Sequence, residues 1–307
     1  MPGRIFLTGS SGFVGSAVID QLLSQGYLIN ALVHRKPPVS AGERVQLIHG
    51  DLFDPQKLDH GLRDCIAVIH LVGIIRENPS QNITFEHIHS EGTRRIVEAA
   101  RRSNVRRFVH MSALGTRPGA LSNYHRSKHQ AEQYVQASAL DWTIIRPSLI
   151  HGPGGELMRM EAMWAHKQAP PPLFFAPFMP YFAGKHTGRI QPIYVKDVAR
   201  AFVDAIEKPA TIGQIYPLGG PDKLTWPQFH QICAQAIVGK TRRTAALPVT
   251  VANLLCTLGI AGLLGFNRDQ VIMSQEDNTC DLARFTNDFG WQPQALEPTL
   301  RSYANQL

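Results

Sequence analysis

Thr8-Gly9-Ser10-Ser11-Gly12-Phe13-Val14-Gly15 decides how this chain is read. A short apolar run, 5–8, leads into it. Behind it Val14, Val18, Ile19, Leu22 and Leu23 recur at helical spacing, and Gly26 stops the pattern. The order is therefore strand, glycine turn, helix. Glycines at 9, 12 and 15 allow a tight turn and close approach of the backbone to a ligand. A helix N-terminus presents free N–H groups and the positive end of its dipole. Together these features suit the pyrophosphate of a dinucleotide. The strand and helix on either side make the signal stronger than a glycine pattern alone.

Outward from the loop, strands and helices alternate as far as residue 150. Strands are expected over 27–33, 45–49, 66–72, 107–111 and 142–146, and helices over 55–62, 84–103 and 122–138. The run 66–72 is almost continuously apolar, as a parallel strand covered on both faces should be. The expectation is an α/β protein: a Rossmann-type, doubly wound parallel sheet with a smaller C-terminal substrate lobe. Residues 1–150 would form the dinucleotide-binding domain. Residues 151–307 would form a substrate or partner lobe interleaved with it. There the pattern loosens to a strand end and helix over 193–205, a strand over 214–218 and a helix over 226–237. Pro170-Pro171-Pro172 opens the aromatic run 173–182, which reads either as a pocket-shaping loop or as a packed surface loop.

Composition narrows the function classes. Of 307 residues, 44% are hydrophobic and 18% charged, which suits a soluble globular protein and argues against disorder. The net charge of +7 is dispersed. Its densest cluster, Arg101, Arg102, Arg106 and Arg107, reads as a solvated helix end, and no nucleic acid is expected. Four cysteines without metal or redox spacing imply reduced thiols in a cytosolic protein. His87-Ile88-His89 has no ligand cluster near it and reads as helix residues without special role, so no metal is expected. The chain enters a strand within three residues of Met1 and shows no signal peptide, which points to a cytoplasmic location. The stretch 247–266 carries no charge and is about as long as a membrane span. Pro248, Asn253, Gly259, Gly262 and Gly265 argue instead for a buried or interface helix pair. Contact with a protein, a second copy in a homodimer, or the periphery of the inner membrane are the alternatives.

The end of the second strand selects the cofactor. An acidic residue there would bond the ribose 2′-hydroxyl of NAD. This chain has His34-Arg35-Lys36. Arg35 can make a bidentate pair with a 2′-phosphate and Lys36 adds charge, so NADP(H) is preferred over NAD(H). Asp51-Leu52, after the third strand, is placed for the adenine amine. Leu71-Val72-Gly73, ending the fourth, lets the backbone pass close to the cofactor.

Tyr124 and Lys128 stand four apart on an expected helix and share a face. A nearby ammonium would lower the phenol's pKa and so ready it for acid–base work. Ser112 ends the fifth strand, where such sheets bind ligands, and its hydroxyl can bond a substrate carbonyl or alcohol.

These segments resemble the short-chain dehydrogenase/reductase superfamily in its extended or atypical, epimerase-like branch. The carriers are the 8–15 loop, Gly50-Asp51-Leu52, His70-Leu71-Val72-Gly73, Ser112, Tyr124-His125-Arg126-Ser127-Lys128 and Arg146-Pro147-Ser148-Leu149-Ile150-His151-Gly152-Pro153. Gln191-Pro192-Ile193-Tyr194-Val195-Lys196-Asp197-Val198-Ala199 and Leu218-Gly219-Gly220-Pro221 resemble the second-lobe signatures. The later segments are similar to bacterial relatives of the dinucleotide-binding accessory subunit of respiratory complex I. The resemblance implies a catalytic triad at Ser112, Tyr124 and Lys128, with Pro147, Ser148, Leu149 and Ile150 bordering the nicotinamide. Ser112 and Tyr124 lie closer in sequence than in relatives acting on nucleotide sugars, which counts against such a substrate. Two functions are compatible with these residues. One is an NADP(H)-dependent oxidoreductase or epimerase/dehydratase-like enzyme acting on the carbonyl or alcohol of a small-molecule substrate, for which the 173–182 and 247–266 stretches leave a hydrophobic compound as one option. The other is a non-catalytic NADPH-binding scaffold, redox sensor or assembly factor.

Overall fold

The computed structural model describes residues 3–34, 37–38, 42–169, 176–179, 188–264 and 266–307. Along the chain run β1 (Arg4–Thr8), α1 (Phe13–Ser24), β2 (Leu28–Val33), β3 (Val45–His49), α2 (Pro55–Gly61), β4 (Cys65–His70), α3 (Gly92–Arg102), β5 (Arg107–Met111), α4 (Asn123–Gln136) and β6 (Asp141–Pro147). Then follow β7 (Ile150–His151), α5 (Glu156–Ala165), β8 (Ala176–Phe178), β9 (Arg189–Ile190), β10 (Ile193–Tyr194), α6 (Val195–Glu207), β11 (Gln214–Leu218), β12 (Leu224–Thr225), α7 (Trp226–Val238), β13 (Thr244–Ala246), α8 (Val249–Thr257), α9 (Arg268–Ser274), α10 (Ala283–Phe289) and α11 (Leu296–Arg301). The chain divides into two compact units. The first comprises Met1–Pro147, Val195–Leu218 and Asp281–Trp291; the second comprises Ser148–Tyr194, Gly219–Cys280 and Gln292–Leu307.

The first unit holds a seven-stranded sheet in the order β11-β6-β5-β4-β1-β2-β3, with every pairing parallel. Alternate strand residues feed opposite faces. Phe6, Leu32, Val68, Phe108 and Ile144 pack with Leu58 of α2, Ile96 and Val97 of α3 and Val135 of α4 in one buried cluster. Ile5 and Leu7, equally buried, point to the other face, and α1 packs against α6. This is a Rossmann-type α/β fold. The strand order reverses at β1, with β2 and β3 on one side and β4, β5 and β6 on the other. Such a switch point opens a crevice at the carboxyl ends of the strands.

The structure departs from the sequence reading in three places. The helix expected over 84–103 begins instead with a π-helical turn at Glu86–Glu91 and only then continues as α3. Its wider turn brings His89 and Ser90 fully inside. Second, Arg107 is not part of a solvated helix end. It is buried, and its guanidinium donates to the Ala205 and Ile206 carbonyls at 3.1 and 3.3 Å and to the Thr143 and Thr211 hydroxyls at 2.7 and 2.8 Å. It also bonds the Asp141 carbonyl. Burial pulls its pKa down to about 10.

Third, the uncharged stretch 247–266 is not a buried helix pair. It forms α8 and a 3-10 turn, Ala261–Leu264. Ala252 of α8 is buried, while Leu254 and Leu258 are 57% and 62% exposed. No helix among the described residues is long and apolar enough to cross a membrane.

In the second unit β7 pairs with β10, β12 with β9 and β13 with β8. The buried His230 of α7 meets Glu161 of α5 at 2.9 Å. Of the aromatic run 173–182, only residues 176–179 are described, so the pocket-shaping expectation falls largely outside the described residues.

Candidate active site

The glycine loop lies between β1 and α1. Gly9 has φ +77°, the left-handed region that glycine adopts freely. A Cβ on Gly9 would come within 3.0–3.1 Å of Leu71 and the Val72 nitrogen, so the loop presses directly on the end of β4. A Cβ on Gly15 would stand 2.1 Å from the Gly9 carbonyl oxygen. The turn therefore closes only with glycine at both positions. Gly12 begins the helix with no side-chain cap, leaving first-turn amide donors to a ligand or water. Tight glycine closure and uncapped donors at a helix start fit a pyrophosphate.

Two of the loop's side chains, Ser10 and Val14, are buried in the fold. Ser10 is buried and its hydroxyl donates to the Leu32 carbonyl at 3.0 Å, which ties the loop to β2. Val14 and Gly15 are buried in α1, Phe13 is half-buried and Ser11 is exposed.

The flank formed by β2 and β3 carries His34 and Asp51, whose Nδ1 and Oδ2 stand 3.7 Å apart, both substantially exposed. Asp51 also accepts the Phe53 N–H at 2.8 Å. Leu52 is buried, with its side chain against Gly92. Arg35 and Lys36 lie outside the described residues.

At the ends of β4 and β5, Gly73, Ser112 and Lys128 converge. Lys128 is buried on α4, and its Nζ donates to the Met111 carbonyl at 3.1 Å, one residue before Ser112. A Cβ on Gly73 would stand 2.9 Å from that Nζ, so the lysine lies directly over this glycine. Ser112 is buried; its amide donates to the Ile145 carbonyl at 2.8 Å and its hydroxyl to Thr116 at 3.3 Å. Tyr124 follows the Ser122 cap, which accepts the His125 N–H and fixes where α4 starts. The Tyr124 ring is flanked edge-on by Phe85 and His89, with centroids at 5.7 and 5.4 Å.

Burial dominates the electrostatics. It lowers Lys128 to about 8, with Glu132 offsetting part of the shift. It raises Tyr124 to about 12. The sequence reading expected the ammonium to lower the phenol. The direction is the opposite, because desolvation acts on Tyr124 while Lys128 is turned to the Met111 carbonyl.

Pro147 ends β6 and its carbonyl accepts the Leu114 N–H at 2.9 Å. Ser148, Leu149 and Ile150 begin the second unit, where Leu149 accepts from Ile193 and Ile150 pairs with Ile193. Sequence reasoning missed His89 and Ser127. His89 Nδ1 lies 2.9 Å from the Ser127 hydroxyl, inside the turn before Lys128. The pair of histidines at 87 and 89 was visible, but nothing local marks one as buried and the other as half-buried.

Residues 5–219 match the sequence model of the NAD dependent epimerase/dehydratase family. The chain belongs to that family. Among its relatives is the ceramide reductase of Caulobacter vibrioides, 30% identical over 244 residues, or 78% of this chain and 72% of the relative. Another is the mitochondrial NADH dehydrogenase [ubiquinone] 1 alpha subcomplex subunit 9 of Dictyostelium discoideum. It is 24% identical and covers 91% of this chain and 77% of its own length. Among solved structures, the UDP-glucose 4-epimerase of Thermotoga maritima, determined with UDP-glucose, superposes with a TM-score of 0.75. That match spans 99% of this epimerase/dehydratase-family chain and 98% of the other at 18% identity, a likeness of fold.

Proposed function

We propose that this chain is an NADP(H)-dependent oxidoreductase of the short-chain dehydrogenase/reductase type, acting on the carbonyl or alcohol carbon of a small, apolar substrate. The observation that supports this best is Lys128. It is a buried lysine bonded one residue ahead of Ser112 and set one helical turn after Tyr124. The dinucleotide supplies hydride transfer when bound. Gly9, Gly12 and Gly15 hold its pyrophosphate through backbone amides. Asp51 and the Leu52 backbone take the adenine side, Leu71, Val72 and Gly73 leave room for it, and Pro147 to Ile150 border the nicotinamide. Arg35, with His34 and Lys36, selects the 2′-phosphate.

Tyr124 gives a proton to the substrate oxygen or takes one from it. With burial raising its pKa to about 12, the phenol stays protonated at neutral pH, the form that donates to a developing alkoxide. Ser112 holds the same oxygen. Lys128 orients the cofactor ribose and stabilises the phenolate that donation leaves.

The exposed apolar side chains of α8 favour a second reading. In it the chain is an NADPH-holding scaffold, sensor or assembly factor, docked at a membrane periphery or on a protein through 247–266. The complex I subunit among its relatives supports this reading. A screen of carbonyl substrates with NADPH, following nicotinamide absorbance, separates the two. Under the enzyme reading Tyr124→Phe lowers turnover about a hundredfold or more and leaves NADPH binding intact. Full activity in that variant removes Tyr124 from the reaction.

A further inference from the structure

His89 is buried in the π-helical turn, and both of its ring nitrogens are bonded. The Ile74 N–H, just past the end of β4, donates to Nε2 at 2.9 Å. Nε2 is therefore an acceptor and carries no proton. Nδ1 lies 2.9 Å from the Ser127 hydroxyl. That hydroxyl gives its single proton to the Tyr124 carbonyl at 2.9 Å, so Nδ1 must be the donor to Ser127. The pattern is complete only for neutral imidazole with its proton on Nδ1.

We propose that His89 is a positioning residue that latches the Gly73–Ile74 turn to the helix carrying Tyr124 and Lys128. This rests on the role proposed for those two residues. Three relationships support it. The hydrogen-bond chain runs from the Ile74 amide through His89 and Ser127 to the backbone of Tyr124. The imidazole packs edge-on to the Tyr124 ring. A Cβ on Gly73 would stand 3.4 Å from His89 Nε2 and 2.9 Å from Lys128 Nζ, so the latch and the lysine converge on one glycine.

The neutral state matters as much as the geometry. A protonated His89 would lose the Ile74 bond and set a second cation beside Lys128. Burial and the lysine's charge both hold its pKa well down, and the Ile74 N–H, which needs the Nε2 lone pair, favours the same neutral form. The other groups facing the ring are uncharged or weakly basic: Phe85 stacks on it, Tyr124 lies edge-on, and His70 is itself held down to about 3 by burial. Lys128 thus remains the cation of the pocket.

The test uses the full chain and needs no substrate. Nitrogen-15 NMR of the imidazole should show the neutral Nδ1–H tautomer from pH 5.5 to 9 (roughly the working range of a histidine switch). An imidazolium at the acid end, or the Nε2–H tautomer, overturns the proposal. Carbon-13 NMR of the lysine Cε then follows the Lys128 midpoint. His89→Ala and Ser127→Ala should each admit water and raise that midpoint by about half a pH unit or more. The double variant should go no further than the larger single shift, because both break one latch. Unmoved midpoints, or shifts that simply add, overturn it. If the shifts are seen and no carbonyl is ever turned over, the latch stands and the oxidoreductase reading alone fails.

Discussion

Lys128 Nζ bonds the carbonyl oxygen of Met111 at 3.1 Å inside a buried pocket. Glu132, nearby on α4, is engaged by Arg146. An ammonium placed this way is held largely by a neutral acceptor, and its proton is correspondingly easy to remove.

That arrangement gives a stability signature. Burial depresses the Lys128 pKa from 10.5 to about 8. Between those values the unfolded chain binds more protons than the folded one, so stability rises with pH across the window. Tyr124 acts in the reverse sense: raised from 10.0 to about 12, it contributes stability below pH 10 that is lost as pH climbs towards 12. Denaturant midpoints measured between about pH 8 and 10 should therefore climb less in Lys128→Met than in the parent. Parallel curves would mean that the amine is solvated.

Gly15→Ala puts a methyl group 2.1 Å from the Gly9 carbonyl oxygen, and both partners in that clash are backbone. The loop must open. We expect a loss of about 1–3 kcal/mol in unfolding free energy and NADPH binding weakened at least about tenfold. Calorimetry with an unchanged dissociation constant would show that the loop does not hold the phosphates.

Arg35→Asp replaces the residue proposed to bind the 2′-phosphate with one that repels it. NADPH affinity should fall by about ten- to a hundredfold, the worth of a charge-assisted pair. NADH affinity should hold or improve. Equal losses for both dinucleotides would place the selecting contact elsewhere.

In sequence the apolar residues of α8 lie between Lys240, Arg242 and Arg243 on one side and Arg268 on the other, with no acidic residue between 240 and 268. If this face meets an anionic bilayer, the protein should co-sediment with phosphatidylglycerol vesicles. Leu254→Asp with Leu258→Asp should abolish that, since each buried leucine is worth about 1.5–3 kcal/mol. Co-sedimentation unaffected by the pair of substitutions, or none in the parent protein, would remove the membrane from the proposal. A concentration-dependent dimer would transfer the face to a second copy.

What the sequence made legible was local. α1 runs over 13–24 as its apolar spacing predicts, because periodicity, the glycine turn and Gly26 all lie within the element. The parallel sheet was legible for the same reason. His89 and Arg107 were not. The bonds that define His89 reach 15 residues back and 38 forward, and those of Arg107 reach 34 to 104 residues forward. A histidine or arginine in a list of neighbours carries no mark of a partner that distant. The buried reading of 247–266 is missed for a different reason: absence of charge says what water dislikes, while exposure depends on what the rest of the unit leaves uncovered. In the candidate site, the glycine spacing and the Tyr–Lys interval could be read directly. The direction in which burial moves the two pKa values could not, since it depends on how many neighbours close over each group.

The first unit is assembled from three separate stretches of chain, which sets a practical limit on dissecting this protein. β11 supplies the outer edge of the sheet, pairing along β6 from Gln214↔Thr143 to Leu218↔Pro147. The same return segment supplies the Ala205, Ile206 and Thr211 oxygens that receive Arg107. A fragment cut after residue 150 would keep the glycine loop and all three proposed catalytic side chains. It would also bare the backbone of β6 as an open strand edge and remove the Ala205, Ile206 and Thr211 oxygens from the Arg107 guanidinium. Such a fragment should clump with copies of itself rather than fold. The Rossmann-type unit therefore cannot be lifted out as an N-terminal module, because its last strand is made only after residues 148–194 of the second unit.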